Sequence, residues 1–258
     1  MRLKQIILVL GSVFTTGAPV LAGGSPGPAL PQGFVHLRSV DPTIVQDIRY
    51  ATARNFTAAP VPGYAAAECI LKKDVAEALK RAQAWLKPKG FSLKVYDCYR
   101  PMRAVRSFVA WGKSAETAGD ERYYPRQKRR KLVALGYIAT DSSHAKGIAV
   151  DITLVPLTPP AEPAQDAATA TQGSGSCVAP LAERETDGSV DMGTGYDCFD
   201  TLSHTANPAI KPAQAKMRRL LVQALSAQDF KNFNQEWWHF TYAKSGTPPS
   251  MDFEMTAP

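Results

Sequence analysis

Past its first 22 residues this sequence has no long apolar run, which excludes a bundle of membrane-spanning helices and leaves a chain expected to be soluble. It also lacks a strong charge of one sign. The 30 Lys and Arg against 23 Asp and Glu give +7, and the basic residues are dispersed, so nothing calls for a nucleic-acid partner. The one basic cluster, Arg126 to Lys131, reads as a solvated helix face. No internal repeat is visible, so the chain is not an array of small units. Cysteine and histidine are scarce, at four each. With so few, every one has to be accounted for.

What is present begins with an export signal. Arg2 and Lys4 form a basic start, Ile6 to Phe14 an apolar stretch, and Val20-Leu21-Ala22 a small-residue cleavage site, which together read as a signal peptide over residues 1–22. Its loss lowers the charge to +5, since it carries two basic and no acidic residues of the +7 total. The apolar stretch is too short for a comfortable membrane span. The mature chain is expected in the periplasm without stable membrane insertion. Four cysteines in an exported chain suggest two disulfides. Cys69 with Cys98 and Cys177 with Cys198 each close a short loop and are favoured, though the sequence leaves the other pairings open.

Residues 23–32 are a Gly/Pro-rich, flexible lead-in to one domain over 33–258. Positions 74 to 87 predict a helix, with Asp74 at its start, Val75, Leu79, Ala82 and Leu86 on one face, and Pro88-Lys89-Gly90 as its end. Phe91 to Tyr96 alternates as a strand, and Pro101 opens a helix whose buried face uses Val105, Phe108 and Val109. Ile148, Val150, Ile152 and Leu154 alternate with Asp151 on the opposite side, a further strand. Residues 156–190, rich in Pro, Ala, Thr, Gly and Ser at their start, read as an inserted surface loop. Ala213 to Leu225 predicts a helix and Glu236 to Tyr242 an aromatic-rich strand. The fold class is α+β, a single domain whose central antiparallel sheet carries the site and is flanked by helices.

Two separated segments carry the chemistry. Ser142-Ser143-His144-Ala145-Lys146-Gly147-Ile148-Ala149-Val150-Asp151 and Glu236-Trp237-Trp238-His239 together offer two imidazoles and a carboxylate as metal ligands, with Glu236 close to the last. A catalytic zinc takes three protein ligands of this type and keeps a position open. A nearby carboxylate can then move the proton of a water. His144 and Asp151 are seven residues apart, so a turn through Gly147 followed by a strand has to bring them together. Glu236 and His239, three apart on a strand, would face opposite ways unless a bend or bulge intervenes. His36 and His204 are assigned structural or surface roles.

These segments resemble the zinc D-alanyl-D-alanine dipeptidases of the VanX type, with signatures SxHxxGxAxD and ExxH. Five further motifs occur in order: Arg49-Tyr50-Ala51-Thr52, Asn55-Phe56-Thr57, Pro60-Val61-Pro62-Gly63-Tyr64, Asp97-Cys98-Tyr99-Arg100-Pro101, and Asp191-Met192-Gly193-Thr194-Gly195-Tyr196-Asp197. The resemblance spans roughly positions 40 to 255. It implies one Zn2+ per chain on His144, Asp151 and His239, Glu236 as general base, and Arg100 beside the scissile carbonyl, where a fixed cation stabilises the developing oxyanion. An ion pair between Arg100 and Asp97 is compatible with that role. It further implies that Asp197 and Tyr50 receive the substrate's ammonium, and that Ser142 and Tyr64 hold its carboxylate. Tyr99, Trp237 and Trp238 are assigned to wall and core.

The implied substrate is a small D,D-dipeptide, D-Ala-D-Ala, in cell-wall peptide turnover. Two other readings share the motifs: a D,D-carboxypeptidase acting on longer peptidoglycan stem peptides, and a zinc-binding module without turnover. The chain departs from the family pattern at Cys98, where glycine is more common, and in the long 156–190 stretch, which precedes Asp197 and could cover or widen the ammonium end.

Overall fold

The computed structural model describes residues 29–114, 117–158 and 175–258. The proposed signal peptide and most of the lead-in lie outside the described residues, as does 159–174 of the expected insertion. The centre of the fold is β5 (Ala149–Pro156), joined on one side to β4 (Phe91–Asp97) and on the other to β7 (His239–Tyr242). With β2 (Val45–Gln46) and β6 (Phe230–Asn232) at the edges, the sheet runs β2-β4-β5-β7-β6, antiparallel except for the β2–β4 pair. A smaller antiparallel pair, β1 (Phe34–His36) and β3 (Ile70–Lys72), lies beside it, with α1 (Leu37–Val40) following β1. The α+β class expected from the sequence holds.

Register divides the sheet into two chemically distinct faces. Leu93 stands opposite Leu154, Val95 opposite Ile152 and Val150 opposite Phe240, so these aliphatic and aromatic side chains share one face. Helices α2 (Lys73–Leu86) and α4 (Pro212–Ser226) pack there, burying Val75, Leu79, Ala82 and Leu86 from the first and Leu221, Ala224 and Leu225 from the second. Each such aliphatic contributes roughly 1.5–3 kcal/mol of burial free energy, which anchors the strands that carry the other face.

On that other face Asp151 stands opposite His239. A register shift between Val95 and Asp97 puts Asp97 opposite Asp151 as well. Strict alternation would have sent Asp97 to the side of Val95, so the bulge re-aims it. Asp97, Asp151 and His239 thus lie in one row across three neighbouring strands.

The sequence expectations meet local corrections. The helix predicted at 74–87 is α2, one residue earlier, and continues as a 3-10 turn over Lys87–Lys89. The helix after Pro101 is α3 (Met102–Lys113), burying Val105 and Phe108 fully but Val109 only in part. The β5 core is buried on both faces rather than alternately, because a second layer of chain covers the polar face. The Arg126 to Lys131 cluster is no helix face: Arg129–Lys131 is one 3-10 turn, and Arg126 pairs with buried Asp200. The strand expected over Glu236 to Tyr242 begins only at His239. Both favoured disulfides are present, Cys69–Cys98 and Cys177–Cys198, with Cα separations of 5.3 and 5.4 Å. Among the described residues no helix is long and apolar enough to cross a membrane.

Candidate active site

His144 is delivered by a 3-10 turn, Ser143–Lys146. The Ser142 hydroxyl caps it, accepting the His144 backbone N–H at 3.3 Å. Gly147 ends it at φ +70°, where a Cβ would come within 2.3 Å of the Phe34 ring, so neither the backbone angle nor the space admits a side chain. The chain then enters β5 and reaches Asp151. The seven-residue spacing is closed by the turn-and-strand geometry expected from Gly147.

His144 Nε2, His239 Nδ1 and Asp151 Oδ1 converge. The two nitrogens are 3.1 Å apart, and each lies 3.2 and 3.0 Å respectively from the carboxylate oxygen. The remaining atoms of all three side chains are engaged elsewhere. His144 Nδ1 faces the Cys98 carbonyl at 2.6 Å, which assigns the proton to Nδ1 and leaves a lone pair on Nε2. His239 Nε2 faces the hydroxyls of Thr241 at 3.3 Å and Ser143 at 3.5 Å. Asp151 Oδ2 accepts from the Tyr196 hydroxyl at 3.1 Å and from Arg100 Nη2 at 3.4 Å.

Three lone pairs aimed at one point repel unless a cation lies among them. Two nitrogens and one oxygen at this spacing fit a tetrahedral zinc with ligand bonds of about 2.0–2.2 Å and one position left open. Burial lowers the pKa of His239 against the pull of the neighbouring Asp151 carboxylate, which favours the neutral, metal-binding imidazole. Burial of Asp151 works against its charge, but the two adjacent imidazoles outweigh it and hold the carboxyl far below the usual range.

The cluster opens onto a cavity of about 210 Å³, lined also by Tyr50, Arg100, Ser142, Asp197, Glu236 and a ring of aromatics that includes Phe56, Phe108, Tyr137, Phe199 and Phe233. Arg100 is clamped by Asp97, with Nε and Nη2 each 2.8 Å from Oδ2, and its guanidinium lies 5.2 Å from the Tyr50 and Phe108 ring centres. Asp197 adopts φ +54°, a left-handed conformation that Asp tolerates, and accepts the Tyr50 hydroxyl at 2.8 Å. Burial raises the Asp197 carboxyl to about 8, and neighbouring Asp151 adds to the shift. The Glu236 carboxylate accepts no hydrogen bond among the described residues, and burial, followed by the charges of Asp151 and Asp197, pushes its pKa well above the carboxylate norm. A half-buried carboxylate with a raised pKa and no fixed partner is suited to moving protons near neutral pH.

The cavity brings together eight of the nine sequence-derived site residues: His144, Asp151, His239, Glu236, Arg100, Asp197, Tyr50 and Ser142. Tyr64 is apart. It is buried, is not in the lining, and donates its hydroxyl to Asp97 Oδ1 at 2.7 Å. Glu236 needs no strand bulge, because it sits in a turn whose N–H bonds to the Phe233 carbonyl and whose carbonyl accepts the His239 N–H. The described part of the 156–190 stretch contributes nothing to this lining, so among the described residues it neither covers nor widens the cavity. The supports of the ligands, Tyr196, Thr241 and the Cys98 carbonyl, were not singled out from the sequence. Tyr196 had one available signal, its place in the motif ending at Asp197.

A buried two-histidine, one-carboxylate cluster beside a free carboxylate and a fixed arginine defines a metal-dependent hydrolase, and the chain is a metallopeptidase. The family described as D-ala-D-ala dipeptidase (peptidase M15) matches residues 31–158 and 158–254, and the chain belongs to it. Curated relatives carry the name D-alanyl-D-alanine dipeptidase. The Enterococcus faecalis protein is 33% identical over 209 residues, covering 81% of this chain and 90% of the relative. The Streptomyces coelicolor protein is 34% identical over 203 residues, 78% and 87% of the two chains, and the Escherichia coli protein 26% identical over 216 residues, 83% and 87%.

Proposed function

We propose that this protein is an exported zinc dipeptidase that hydrolyses free D-Ala-D-Ala to two D-alanines in cell-wall peptide turnover. The observation that carries the reading is the convergence of three ligand atoms at 3.0–3.2 Å on a cavity that also holds Glu236 and Asp197. His144, Asp151 and His239 would hold one zinc ion per chain, which when bound supplies Lewis acidity toward a carbonyl oxygen and makes a water easier to deprotonate. Two disulfides support an oxidising compartment such as the periplasm.

The chain's own side chains divide the remaining work. Glu236 takes the proton of the attacking water and returns it to the departing amine nitrogen as the C–N bond breaks. Arg100, held charged by Asp97 in spite of burial, faces the oxygen on which negative charge develops. Asp197, oriented by Tyr50, receives the substrate ammonium, whose arrival favours the ionised carboxyl. Ser142 keeps its hydroxyl proton available for the substrate carboxylate while its oxygen caps the His144 turn. Tyr64 serves at one remove, through Asp97 and Arg100.

The decisive experiment compares release of D-alanine from free and N-acetylated D-Ala-D-Ala by the zinc-loaded chain. Cleavage of the free dipeptide alone is expected, because an acylated amine leaves buried Asp197 unpaired. Equal or faster cleavage of the acetylated form would assign the chain to the carboxypeptidases. Cleavage of neither would leave only a binding module.

A further inference from the structure

We propose that Tyr196 is a positioning residue for the metal ligand Asp151, fixing it as a one-oxygen ligand; the inference rests on the zinc reading of the cluster. A carboxylate can offer a metal one oxygen or both. In this site Oδ1 is turned to the two imidazole nitrogens, while Oδ2 has two donors, the Tyr196 hydroxyl at 3.1 Å and Arg100 Nη2 at 3.4 Å. Arg100 is the weaker and the less dedicated of the two. It is longer, it is already spent on Asp97, and it faces the cavity where substrate binds. The Tyr196 hydroxyl has no other partner among the described residues, so Asp151 is its sole acceptor.

The ring behind that hydroxyl is fixed from several sides. It stacks on Tyr96 with centroids 4.3 Å apart and planes at 14°, and meets the Trp238 ring edge-on at 5.7 Å. Tyr96 is itself anchored, donating to Asp187 Oδ2 at 2.5 Å, with its hydroxyl 2.7 Å from the Ser189 hydroxyl. Lys94 and Arg49 hold the same Asp187 carboxylate at 2.9 and 3.0 Å. A second cavity lies against this stack, lined among others by Tyr96, Tyr196, Asp187, Ser189 and Val190. The described end of the long 156–190 stretch therefore props the stack that aims a hydroxyl at Asp151. That gives the stretch a connection to the metal which its absence from the active-site lining conceals.

The test is Tyr196→Phe, which keeps the ring and the stack and removes one hydrogen bond. Outer partners of metal ligands typically carry about 10–100-fold in metal affinity, so zinc affinity by chelator competition should fall by that order. The thermal midpoint of the metal-free protein should stay close to wild type. The Co2+-substituted protein should show an altered visible absorption band, reporting a changed carboxylate geometry that a merely structural role would not produce. Wild-type zinc affinity together with an unchanged cobalt spectrum in the variant would overturn the role of Tyr196 and leave the zinc reading intact. Failure of the wild-type chain to bind either ion would overturn both.

Discussion

Two groups of carboxylates face each other across one cavity and behave in opposite ways. Asp151 is surrounded by donors and imidazoles and its pKa is driven down; Glu236 and Asp197 are short of partners and theirs are driven up. Burial works against the charge of all three. What differs is the number of positive or donating groups within reach, and that separates a carboxylate suited to holding a cation from carboxylates suited to exchanging a proton or receiving a cation. Asp151 sits inside the sheet between two strands, whereas Glu236 and Asp197 sit on turns.

The contrast is broken most severely at the three-residue cluster itself. Asp151→Ala or His144→Ala should abolish metal retention and turnover together, read by metal content of the purified protein alongside D-alanine release; a variant that kept stoichiometric zinc would remove the residue from the ligand set. Glu236→Gln should separate the two readouts. Metal content stays at the wild-type level while kcat falls by about 10²–10⁴-fold, the usual worth of a general base, and a near-normal rate would end its assignment as base.

Asp197→Asn is a milder cut, since Asn also tolerates the left-handed backbone and can still accept from Tyr50. The free-dipeptide kcat/KM should drop by roughly 10-fold or more as a charge-assisted contact of about 1.5–3 kcal/mol is weakened. The preference for free over N-acetylated substrate should narrow, and an unchanged preference would mean that the ammonium is read elsewhere.

The smallest effect is on stability and has a definite sign. A carboxyl at about 8 in the folded metal-free chain, against an ordinary value of 3.8, is protonated when folded and ionised when unfolded between those limits. The unfolded state then binds fewer protons, so this group lowers stability as pH rises from about 4 to 8. Asp197→Asn should flatten that slope and stabilise the metal-free protein at pH 8 by a few kcal/mol at most, measured by denaturant unfolding across the pH range. A slope equal to wild type would show that Asp197 ionises normally.

Much of this was legible in the residues. Alternating aliphatics located β4 and β5, helical periodicity located α2, α3 and α4, and the scarcity of histidine narrowed the ligands to positions that also lay in the motifs. The start of β7 was misread because Trp237 and Trp238 look like strand residues, yet they are buried in a turn, with the Trp237 indole donating to Thr194 at 2.8 Å. The Tyr64 hydroxyl is committed to Asp97, a partner 33 positions away that only folding brings near.

The sequence by itself determined the donors: two imidazoles, one carboxylate, one spare glutamate and one arginine, with Gly147 permitting the turn between two of them. Tertiary structure alone decided how each is used. The bulge that turns Asp97 toward Arg100, the register that sets Asp151 opposite His239, and the ring stack that brings Tyr196 to Asp151 all depend on contacts between distant segments. Side-chain chemistry is local and can be read along a chain. Protonation state, ligand orientation and burial are properties of surroundings, and those exist only once the strands are side by side.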